Sequence, residues 1–167
     1  MSVEQIIREK VNAVGSTVYI TPDIVEKKLN NAVACIALNV DPSVVIAIID
    51  TTIFSSAKEG LVFTGDALYS KSLLDKPICV YYKDIKKTEF RIEESKDEKD
   101  KVIKKKILDI YGENKKVLLH FESQYSSING EKLSEMIDEI IKEGEDGSDY
   151  QTSLQSQKLI DMSTSIK

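Results

Sequence analysis

Apolar residues recur at three- and four-residue spacing near the start of the chain, at Val3, Ile6, Ile7, Val11 and Val14, until Gly15 interrupts them. That period belongs to one face of a helix, and Ser2 followed by Gln5 supplies the reciprocal bonds of a capping box. A second stripe, Ile24, Val25, Leu29, Ala32, Val33 and Ile36, follows Thr21-Pro22-Asp23, where a hydroxyl, a proline without an N–H and an acid suit the positive end of a helix. Asp41-Pro42-Ser43 repeats the device ahead of Val44-Val45-Ile46-Ala47-Ile48-Ile49. Those valines and isoleucines also suit a buried strand, but the capping residues predict a third helix. Residues 1–50 are therefore expected to form a helical N-terminal region.

The period then falls to two. Gly60-Leu61-Val62-Phe63-Thr64 and Ala67-Leu68-Tyr69-Ser70-Lys71 flank Gly65-Asp66, a dipeptide suited to a tight hairpin turn. Ile78-Cys79-Val80-Tyr81-Tyr82 after Pro77 is rich in β-branched and aromatic residues, and Thr88-Glu89-Phe90-Arg91-Ile92-Glu93 alternates as a half-buried strand does. Residues 95–101 hold no apolar side chain and form a solvated loop or hairpin tip. Ile107 to Tyr111 and Lys116 to Phe121 flank the turn cluster Gly112-Glu113-Asn114 and predict another hairpin, although Ile103, Ile107, Ile110 and Tyr111 also fit a helical stripe. After Asn129-Gly130, the residues Leu133, Met136, Ile137, Ile140 and Ile141 share one face of an amphipathic helix that Gly144 stops.

Helices, then about six to seven short strands, then a closing helix make an α+β order. Three units are expected: residues 1–50, a β domain with its closing helix over 51–144, and a polar tail over 145–167 that is flexible or depends on a partner. Over residues 59–141, the run Glu59-Gly60-Leu61-Val62-Phe63-Thr64 with Ala67-Leu68-Tyr69, followed by Pro77-Ile78-Cys79-Val80-Tyr81-Tyr82-Lys83-Asp84-Ile85, resembles the bacterial pleckstrin-homology-like (GRAM-type) domains. The resemblance implies a bent antiparallel sheet or half-barrel plugged by a C-terminal helix, and it implies phosphoinositide binding through a long basic loop between the first two strands. Here that loop is Gly65-Asp66, short and acidic. Lys83, Lys86, Lys87 and Arg91 form the basic patch that remains available for anionic headgroups.

Composition narrows the chemistry. The 167 residues are 41% hydrophobic and 31% charged, close to the globular average, which argues against wholesale disorder and fibrous classes. Lys plus Arg number 23 against 28 Asp plus Glu, a net charge of −5 and the wrong sign for gripping nucleic-acid phosphates. The charge is unevenly spread: residues 86–116 hold eleven basic and eight acidic side chains, whereas residues 122–150 hold two basic and nine acidic. Such asymmetry can present differently charged faces to partners, although mixed Lys and Glu also simply keep a surface wet. No signal peptide or membrane span is expected, which predicts a cytoplasmic location.

Cys35 and Cys79 lie in apolar company and read as small buried hydrophobes. His120, the only histidine, is expected to face outward or to pack structurally, and a His-rich metal site is impossible. Gly-x-Ser-x-Gly, Cys-x-x-Cys, P-loop and dinucleotide-binding motifs do not occur, so no catalytic residue, cofactor or metal ligand is assigned. The leading reading is a non-enzymatic protein-interaction module that binds a protein partner or itself. The alternatives are peripheral binding to anionic lipid through Lys83, Lys86, Lys87 and Arg91, an inhibitor or immunity-type protein, and a metal-dependent enzyme built on Asp50, Asp66 and Asp84.

Overall fold

The computed structural model describes residues 1–73, 75–122 and 128–144, so the expectation for the tail over 145–167 lies outside the described residues. Helix α1 (Val3–Lys10) begins as its capping box requires: the Gln5 N–H donates to Ser2 Oγ at 3.2 Å and the Ser2 N–H to Gln5 Oε1 at 2.9 Å. A 3-10 turn (Val11–Ala13) extends it, and Ile6, Ile7, Val11 and Val14 are buried. The second helix, α2 (Glu26–Cys35), starts later than Thr21-Pro22-Asp23 predicts. The Thr21 hydroxyl is used elsewhere: it donates to the Ile46 carbonyl at 3.1 Å and accepts from Arg8 Nη2 at 3.2 Å. Thr21 thereby ties the end of β1 (Val18–Ile20) to its neighbour strand rather than opening a helix.

The expected third helix is a strand. Asp41 does accept the Ser43 N–H at 2.9 Å, but the cap serves a single 3-10 turn (Pro42–Val44) before Val45–Asp50 forms β2. All six residues of β2 are buried. Ala47 and Ile49 meet the main core, while Val45 and Ile48 meet a second cluster with Ala32 and Ile36 on the α2 side. A strand covered on both faces shows no polar alternation, which is why its sequence does not announce a strand. Residues 1–50 are accordingly not a separate helical region, because β1 and β2 complete the sheet that follows.

That sheet is antiparallel in the order β1-β2-β3-β4-β5, with β3 (Gly60–Thr64), β4 (Ala67–Lys71) and β5 (Ile78–Tyr81). The hairpin around Gly65-Asp66 forms in the expected register, Phe63 opposite Leu68. Gly60 has a φ of +135°, and a Cβ there would sit 1.9 Å from the Ile49 carbonyl oxygen, so only glycine lets β3 approach β2. A second antiparallel sheet holds β6 (Lys87–Lys96), β7 (Val102–Tyr111) and β8 (Val117–Glu122). The ambiguous stretch 103–111 is thus strand.

Helix α3, residues 130–144, buries Leu133, Met136, Ile137 and Ile140. They share one core with α1 and with Leu61, Phe63 and Leu68 of the first sheet and Leu108, Ile110 and Leu119 of the second. Thr88 of β6 donates to Asp138 Oδ1 at 2.7 Å and meets Ser134 Oγ at 2.7 Å, fixing the helix on the sheet. Its entry is stitched to the N-terminal segment by a Gly15 to Ile128 bridge and by the Asn129 N–H, which donates to the Val14 carbonyl at 2.6 Å. The α+β order, helices with two antiparallel sheets and a helix closing the core, is as expected. The cysteines are not: Cys79 is exposed and Cys35 half-buried. Cys79 lies on the edge strand β5, where Val80 takes the inward position and its neighbours point out.

Candidate functional site

An open cleft of about 810 Å³ forms where α1, the β3–β4 turn, the segment after β5 and the C-terminal end of α3 meet. Its walls are built from local rules. Thr64 Oγ1 accepts the Asp66 and Ala67 N–H groups at 3.2 and 3.1 Å, which shapes the turn and leaves Gly65 and Asp66 on the rim. Tyr82 locks that turn from the other side. Its hydroxyl donates to the Thr64 carbonyl at 2.8 Å and its N–H to the Asp66 carbonyl at 3.0 Å, and burial pushes the phenol well above its ordinary range. A 3-10 turn (Tyr82–Asp84) then carries Lys83, Ile85 and Lys86 to the cleft. Val3, Ile85, Ile140 and Ile141 give it an apolar floor.

The rim is basic on one side. Lys83 Nζ stands 5.7 Å from the centre of the Tyr81 ring, and Lys86 Nζ lies 3.4 Å from the exposed Glu113 carboxylate. An exposed ion pair of that length holds its partners weakly, so Lys86 remains available to an anion. Among the described residues that line it, Asp66 is the one carboxylate.

The structure places the four basic residues expected to form one patch in two settings. Lys83 and Lys86 line the cleft, whereas Lys87 and Arg91 lie along β6 in a row of alternating charge. Lys87 meets Glu89 at 3.7 Å, and Arg91 meets Asp109 at 2.6 Å and Glu93 at 3.0 Å. His120, opposite Asp109 in the register, completes this polar face: Nδ1 lies 2.5 Å from Asp109 Oδ1 and Nε2 3.1 Å from Glu122 Oε1. With a carboxylate on each ring nitrogen the imidazole is stabilised as a cation, and its pKa is raised, chiefly by the Asp109 bond and then by Glu122.

Asp50, Asp66 and Asp84 do not converge. Asp50 lies at the Gly60 end of β3, where its carboxylate accepts from Thr52 and Ala57, and Asp66 lies in the turn at the strand's opposite end. Among the described residues, no group of three or more His, Cys, Asp or Glu side chains is placed to hold a metal ion. No helix among the described residues is long and apolar enough to cross a membrane.

The cleft floor was not foreseen from sequence, because Val3, Tyr82, Ile85 and Ile141 each belong to a different local pattern. The adjacent pair Ile140-Ile141 is the one available signal, since a helix that sends one isoleucine into its core must direct the next toward a boundary. No family model, curated protein or solved structure matches the chain.

Proposed function

We propose that the protein is a non-enzymatic interaction module whose cleft takes an extended or helical segment of a partner protein, apolar on one side and carrying an acidic residue. The reading rests on one observation, an open cleft with an apolar floor bordered by Lys83 and Lys86. Apolar contact with the partly exposed Val3 and Ile141 supplies the affinity in such a site, and the lysines select the charge of what enters. Two antiparallel sheets sealed by α3 are compatible with the pleckstrin-homology-like reading over residues 59–141, with β1 and β2 as additions to it.

The test is a peptide-display selection on the full chain, with the Lys83→Glu/Lys86→Glu variant as counter-selection. Both side chains are exposed, so folding is expected to survive the exchange. Enriched peptides should pair an acidic residue with aromatic or aliphatic neighbours and lose about tenfold or more in affinity for the variant. Peptides that bind wild type and variant alike, or enrichment of basic sequences, would overturn the proposal.

A further inference from the structure

The loop between β2 and β3 lies at the end of β3 opposite the cleft and carries Ile53 and Phe54, which are 91% and 93% exposed. Exposure of that order commonly accompanies a slack segment, but this loop is braced from within. Asp50 Oδ1 accepts the Thr52 N–H at 2.9 Å and the Thr52 hydroxyl at 2.5 Å, while Oδ2 accepts the Ala57 N–H at 3.1 Å. The Thr52 hydroxyl accepts the Ser56 N–H at 2.9 Å, and Asn31 of α2 donates to the Ser56 carbonyl at 2.9 Å. Two large apolar side chains are therefore held in water by a built scaffold.

The surroundings match. Gly60 pairs with Lys71 and Ser70 with Ile78, so loops 51–59 and 72–77 leave the same end of the sheet. The second loop adds Leu73, 71% exposed. Lys58, Lys71 and Lys76 flank these tips, against Glu59 and Asp75. In the second loop Asp75 accepts a hydrogen bond from the Ser72 hydroxyl at 2.5 Å, and Lys71 Nζ donates to the Ser72 carbonyl at 2.9 Å.

We infer that this end of the first sheet is a membrane-surface wedge: Ile53 and Phe54 enter the interface of an anionic bilayer, and Lys58, Lys71 and Lys76 meet its headgroups. A bilayer fits better than a protein because the apolar area is small and sits on protruding tips. Stable protein interfaces engage roughly 20–30 residues a side, far more than Ile53, Phe54 and Leu73, the exposed large apolar side chains among the described residues of the two loops. Insertion into lipid needs no complementary pocket, and lysine stems can lie along the acyl boundary while their ammonium groups stay wet. Attachment through so few groups is reversible and weakens with salt.

The chain has no tryptophan, so Phe54→Trp places a single indole reporter at the crest of the loop. Mixed with phosphatidylcholine vesicles containing phosphatidylserine, its emission should shift to the blue and be quenched by brominated acyl chains. Co-sedimentation should fall about tenfold or more in Ile53→Ser/Phe54→Ser, and less steeply on raising salt. The serine variant removes only exposed side chains, and an unchanged denaturation midpoint would certify its fold. Unaltered emission with vesicles would sink the inference, as would co-sedimentation that persists in the serine variant. A blue shift that grows with protein concentration and needs no lipid would overturn it in favour of pairing between copies of the chain.

Discussion

His120 illustrates how neighbours decide what one side chain does. Burial alone pushes the Asp109 carboxyl up, but hydrogen bonds from Arg91 and His120 outweigh it and hold the group below its ordinary value. Glu122 is lowered as well, first by its bond to His120 and then by Lys105. The signs give opposite pH dependences. An imidazole that holds its proton more tightly when folded adds stability below its ordinary value of 6.5, and that contribution disappears as pH rises through the raised folded value. The two carboxylates add stability above their ordinary values and lose it as pH falls through their lowered ones. Urea midpoints measured between about pH 6 and pH 9 should therefore decline for the wild type, and His120→Gln should flatten that decline. Parallel slopes for the two proteins would show that the ring contributes nothing across this range. Because the imidazole is 44% exposed, solvent screening keeps the effect modest.

At the scale of elements, the buried carboxylate of Asp50 does for the β2–β3 loop what a capping residue does for a helix, satisfying backbone N–H groups that the turn leaves unpaired. Asp50→Ala should cost about 2 kcal/mol in chemical denaturation and speed amide exchange at Ala57 and Ser56. Exchange unchanged at those amides would mean that the loop holds its shape by other contacts. The elements differ in how far their sequences disclosed them. The β3–β4 hairpin was legible from its turn residues Gly65-Asp66, although β3 is buried throughout, and α3 from the Leu133, Met136, Ile137 spacing of a helix with one wet face. For β2, coverage on both sides erased the period and left Asp41-Pro42-Ser43, a genuine cap on a single turn, to suggest a helix. The cleft was hidden for a further reason. Lys83 lies in the Tyr82–Asp84 turn and Lys86 just after it, whereas Lys87 and Arg91 obey the alternation of β6, so the cleft draws on the first two.

For the whole molecule, the decisive fact is that α1, both sheets and α3 contribute to one hydrophobic core. Ile137, fully buried within it, should cost about 3 kcal/mol when replaced by alanine. Unfolding followed by far-ultraviolet circular dichroism and by tyrosine emission should remain a single coincident transition, since Leu108, Ile110 and Leu119 of the second sheet lie in the core that the first sheet and both flanking helices share. Two separated transitions would contradict that view. The stitch between Gly15 and Ile128 sets a timetable as well. While a ribosome is still making the chain, Ile6, Ile7, Val11 and Val14 can pack on the first sheet but have no cover from α3 until residues beyond 128 have emerged, so the first helix made is among the last to be fully put away.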